Sequence, residues 1–196
     1  MKEMRRSHAL IALLAATGLA GCSHHNQPDA GPAVLPANLQ ADFTPDQTAN
    51  CPQVAVLQQA QTLTLFAPNR TDVGGQISTA QITGLNGACV VNTKTNTMTV
   101  SLSPALLADN GPANQGAPLT LPWFVSISRG DQIIDKHVYA TTLTFDGNVT
   151  QTAMAGRTVK VDLPDSPDSA GIDILVGFQE TPDQLAYAAA HPNAAP

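Results

Sequence analysis

The hexapeptide TMTVSL, Thr97 to Leu102, alternates polar and apolar residues without a break. Successive side chains of a strand point to opposite faces. Met98, Val100 and Leu102 therefore share one face, and Thr97, Thr99 and Ser101 the other. A helix would scatter these two sets around its axis, so the stretch is read as a half-buried strand. The preceding NTKTN (92–96) has the composition of a turn.

The same period recurs downstream. LTLPWFVSI puts Leu119, Leu121, Trp123, Val125 and Ile127 on one face. TVKVDL groups Val159, Val161 and Leu163, and IDILVGF groups Ile172, Ile174, Val176 and Phe178. Further strands are expected at Val54–Gln58, Thr62–Phe66, Gln76–Thr83 and Ile133–Phe145. SRGDQ (128–132) and DGN (146–148) supply turn chemistry, and the connections are too short for helices between parallel strands. About eight short antiparallel strands make an all-β sandwich, loosely immunoglobulin-like, with a barrel as the alternative. The antibody pattern itself is absent, because Trp123 follows both Cys51 and Cys89. One helix is expected, TPDQLAYAAA from Thr181. Thr181 is the N-cap, Pro182 the first helical residue and Gln184 the partner of a capping box. Leu185, with Ala188 or Ala189, should face the domain.

The front of the chain reads differently. Lys2, Arg5 and Arg6 precede the apolar run Ala9–Leu19, which would rise only ~16 Å as a helix, about half a bilayer core. Basic start, short apolar core and small residues Ala20 and Gly21 describe an export signal. The run ends in LAGC, Leu19 to Cys22, which resembles the lipobox of bacterial lipoproteins. The resemblance implies cleavage before Cys22 and acylation of its thiol and new amino group. It also implies a periplasm-facing outer-membrane location, since Ser23 stands where an aspartate would mark inner-membrane retention in enteric bacteria. One fatty chain anchors only reversibly at about 0.8 kcal/mol per methylene, whereas two or three chains on one residue hold firmly.

These signals divide the chain into a signal peptide (1–21), a lipidated proline-rich tether (22–50), a β-sandwich (51–180) and a short helix with its tail (181–196). The 28 residues from Ser23 to Asn50 would separate their ends by about 30 Å as a flexible coil. Cleavage removes three of nine basic and one of fifteen acidic residues, leaving a formal charge of −8. An acidic chain without a lysine–arginine cluster repels phosphate, so no nucleic-acid partner is expected. Three cysteines are odd for an exported protein. With Cys22 acylated, Cys51 and Cys89 remain as a disulfide pair, closing a loop of about 39 residues for roughly 3–4 kcal/mol.

The segments CPQVAVLQQAQTLTLF, GACV and LPWFVSI, between residues 51 and 140, resemble uncharacterised alphaproteobacterial envelope proteins. That resemblance implies an envelope domain and carries over no site residue.

Catalytic motifs are lacking: no GxSxG, HExxH or phosphate loop occurs. His24 and His25 are read as tether residues and His137, beside Asp135 and Lys136, as a sheet-surface residue; a triad through His137 with Asp135 or Asp131 is the catalytic alternative. Asp162, Asp165, Asp168 and Asp173 are read as a solvated connection rather than a calcium loop. The tripeptide Arg129-Gly130-Asp131 falls in a turn. No catalytic residue, metal or cofactor is called for. Phe124 alternates with Trp123 and is the expected partner-facing aromatic, unless the C-terminal helix covers it. The expectation is a non-enzymatic envelope module, bound to the membrane through its lipid and to another envelope protein. A small-ligand carrier or assembly chaperone, and an enzyme with a dispersed site, are the alternatives.

Overall fold

A computed structural model describes residues 51–147 and 149–191. Nine strands and one α-helix follow in order among them. They are β1 (Gln53–Val56), β2 (Thr62–Phe66), β3 (Gln76–Asn92), β4 (Thr97–Asn110), β5 (Leu119–Arg129), β6 (Gln132–Leu143), β7 (Gln151–Ala155), β8 (Val159–Pro164), β9 (Ile172–Phe178) and α1 (Pro182–Ala190). Cys22, the expected export signal, the expected tether, His24 and His25 lie outside the described residues.

The strands form two sheets. One has the order β1-β9-β5-β6; the other runs β2-β3-β4, with β7 and β8 sharing the far edge of β4. β8 pairs with Thr97–Leu102 and β7 with Ala105–Asp109. The handover falls at Pro104, whose carbonyl accepts from Gly156 N–H in the β7–β8 turn. Every pairing is antiparallel except β1 with β9, which is parallel.

The expected alternation is what fills the space between the sheets. Met98, Val100, Leu102 and Leu106 of β4 are buried, and they meet Trp123, Val125, Ile174 and Phe178 of the other sheet in one core cluster. Burial of such side chains, at about 25 cal/mol per Å² of apolar surface, is the main force holding the sheets together. The indole of Trp123 is fully buried, and its N–H donates to Thr141 Oγ1 at 3.1 Å, so its polar atom is satisfied inside the core. Cys51 and Cys89 form the expected disulfide, with Cα atoms 6.2 Å apart. The bridge joins the lead-in to β1 in one sheet to β3 in the other.

Several elements depart from the sequence reading. β3 continues nine residues past Thr83, through a bulge between Ile82 and Gly84. That bulge shifts the phase of its apolar residues, which hid the continuation. β7 was not expected: QTAMA has no buried residue, since it is an outer strand. The helix starts as expected, with both hydrogen bonds of the Thr181–Gln184 capping box in place. Its phase differs. Leu185 is 46% exposed, and Tyr187 instead turns inward, its ring 4.8 Å from that of Phe66 on β2.

Candidate interaction surface

β6 ends its sheet, so one side of its backbone ladder has no strand beside it among the described residues. Its first half is exposed on both faces from Gln132 to Val138. Three large apolar side chains stand there: Ile133 at 64%, Ile134 at 51% and Val138 at 54% exposure. Exposed apolar side chains on an open edge are the features that invite strand addition.

A bulge sets which of them act together. The β5–β6 register shifts between Ile127 and Ser128, so that Ile127 pairs with Asp135 and Ser128 with Ile133, leaving Ile134 as the extra residue. Directly paired residues share a face. Ile133, Lys136 and Val138, opposite Ser128, Ser126 and Phe124, therefore lie on the outer face of the sheet. Without the bulge, Ile133 and Val138 would fall on opposite faces, being an odd number of residues apart. Asp135 and His137 take the core-side face, opposite Ile127 and Val125.

The charges between the apolar ends are engaged within the strand or with β5. Asp135 Oδ2 lies 2.8 Å from His137 Nε2, and Asp135 Oδ1 accepts from Lys136 N–H at 2.7 Å. The Lys136 ammonium sits 4.1 Å from the centroid of the Phe124 ring. That cation–π contact and the half-exposed Asp135–His137 contact are each worth under about 1 kcal/mol. The edge thus has two apolar ends and a charged middle. Further along, Tyr139 packs 4.9 Å from Trp123, and the Arg157 guanidinium from the β7–β8 turn lies 5.5 Å from the Tyr139 ring.

Phe124 does lie opposite Trp123, but it is only 7% exposed. It crosses Gly177 of β9, where a Cβ would come within 3.0 Å of its ring and 2.7 Å of Ala60 Cβ. Lys136 and Ala60 of the Gln58–Ala60 turn lie against it, so the aromatic expected to face a partner is a covered one. The apolar surface on this sheet belongs to β6 instead.

His137 sits on an open strand face, and its contact is Asp135. Arg129, Gly130 and Asp131 form the exposed tip of the β5–β6 hairpin, where Gly130 supplies the left-handed backbone at φ +55°. The four aspartates do not converge. Asp162 on β8 accepts from Thr99 Oγ1 at 2.6 Å, and Asp173 belongs to β9 in the other sheet. Among the described residues no three His, Cys, Asp or Glu side chains are placed to hold a metal ion.

Sequence reasoning passed over Glu180, between β9 and α1. It is 8% exposed, and among the described residues neither carboxyl oxygen has a hydrogen-bond partner. Burial pushes its carboxyl up to about 7. The available signal was positional. Glu180 occupies the residue before an N-cap, a place where helix entries favour an apolar side chain.

No protein-family model, curated protein or solved structure matches the chain. Among the described residues, no helix is long and apolar enough to cross a membrane.

Proposed function

We propose that this protein is a lipid-anchored, non-enzymatic binding module of the cell envelope, held at the membrane through Cys22 and offering the β6 edge to another envelope protein. The observation that carries the binding half is the open strand with Ile133 and Val138 brought to one face by a bulge. An extended segment could add to this edge through backbone hydrogen bonds, with the charged middle of β6 setting its register. The anchoring half rests on the signal-like lead and on LAGC at Leu19–Cys22. The disulfide accords with an oxidising compartment.

The two halves are tested separately. Mass spectrometry of the mature N-terminus should find an acylated Cys22; an uncut signal or an unmodified thiol overturns the anchor. Photo-crosslinkers placed at 133 and 138 in envelope preparations should give one shared adduct that a crosslinker at Lys160, on the other sheet, does not. Equal labelling at all three positions overturns the edge as the contact.

A further inference from the structure

We propose that Glu180 works as a proton-operated latch: while its carboxyl is neutral α1 stays docked along β2, and when the carboxyl ionises the β9–α1 junction opens and releases the helix. Three observations meet at this junction. Glu180 is buried between the last strand and the helix cap, with both carboxyl oxygens unpartnered among the described residues. The helix beyond it has no buried residue, and its named contact with the sheet is the edge-on meeting of Tyr187 with Phe66. The junction is held on its strand side by Gln179 N–H donating to Pro122 O at 2.9 Å and on its helix side by the Thr181 cap. A weakly held element thus hangs from a group that is costly to bury when charged.

Among the described residues, neither oxygen of that carboxyl has a hydrogen-bond partner. The elements that pack on β9 and α1 include β2 (TLTLF), the Gln58–Ala60 turn (QQA), β1 (QVAV) and the start of β5 (Leu119–Trp123), and these stretches have no ionisable side chain. β9 carries only Asp173, at its far end. α1 carries Asp183 in its first turn, an acid like Glu180, and His191 at its cap, stacked on Tyr187 at 4.1 Å. Arg129 of β5 lies at the far end of that strand, opposite Ile172 of β9, and the other elements named carry no lysine or arginine. Above neutrality the carboxyl gives its proton to bulk water, and the resulting carboxylate gains most by turning out to solvent. Glu180 is joined directly to Thr181, so that turn displaces the helix cap. What α1 leaves behind is Phe66 and the outer strand β2. The inference is independent of the lipid anchor and of the β6 edge.

The test is amide hydrogen exchange of residues 182–190 in the full chain at pH 5.5 and 8.5, with intrinsic exchange divided out. Protection should fall about tenfold at the higher pH; the residual exposure of Glu180 keeps the effect below the full gap between 4.5 and about 7. Glu180→Gln should hold protection level across the range, and Tyr187→Ala should lower it at both values. Histidines as a class also change charge near neutrality, so His191→Gln serves as a control and should leave the tenfold change intact. Level protection in the native chain, an undiminished change in Glu180→Gln, or its loss in His191→Gln would each overturn the latch. If Glu180→Gln does not fold, the native chain decides. The Glu180 13Cδ and Tyr187 ring resonances should titrate with one midpoint, and separate midpoints overturn the proposal.

Discussion

The indole N–H of Trp123 donates to Thr141 Oγ1 at 3.1 Å, linking the bulkiest buried side chain of β5 to its neighbour strand β6. Thr141→Val keeps the shape and removes the acceptor, stranding a buried donor. Urea unfolding should show a loss of about 1–3 kcal/mol. Trp123→Ala should cost more, about 3–5 kcal/mol, through the cavity it leaves.

Gly177 lies under Phe124 with no space for a side chain. Gly177→Ala should destabilise the fold by about 1–3 kcal/mol, because Ala60 and the Phe124 ring must both shift. Ala60→Gly in the same chain should recover part of that loss, which thermal melts of the two variants would measure.

Glu180 gives stability a pH dependence of unusual sign for a carboxylate. Its folded value, about 7, lies above the ordinary 4.5, so the folded state holds a proton that the unfolded state has released. Its contribution is complete below about 4.5 and is lost as pH rises through about 7. After allowance for screening at the rim, chemical denaturation should show a decline of about 1 kcal/mol between pH 5 and 8. Glu180→Gln should remove it.

The β6 edge should tolerate change without loss of fold. Ile133→Thr and Val138→Thr alter exposed side chains on an outer strand, and unfolding free energies should move by less than about 0.5 kcal/mol. The shared crosslinked adduct should nonetheless disappear in the double variant.

What was legible in the sequence was whatever the period of two could express. Met98, Val100 and Leu102 are buried, as are Ile172, Ile174, Val176 and Phe178, because a buried face on a regular strand leaves that imprint. The imprint fails where a strand is shifted or uncovered. The extra residue near Thr83 broke the phase of β3, and Gln151–Ala155 has no buried face to report. Pairing partners leave no trace in local alternation, so the parallel meeting of β1 with β9 was out of reach. In the helix, the cap residues were readable because capping is local. Its inward face was not, since a ring at Phe66, over a hundred residues away in sequence, selects Tyr187 over Leu185. Phe124 was placed on the correct side of its strand, but its cover comes from Lys136 and the Gln58–Ala60 turn, contacts that no local pattern encodes.

The crosslink at Cys51 also has a mechanical consequence. A pull arriving along the backbone from the amino-terminal side reaches Cys51 before β1, and there it divides. One share enters β1; the other passes through sulfur into β3, a seventeen-residue strand paired with β4 from Ser78 to Asn92. Tension is thereby spread over both layers of the sandwich, and β1 is spared being peeled away from β9 on its own. Single-molecule stretching from the amino terminus should find this body yielding at a markedly lower force once a reductant has opened the bridge.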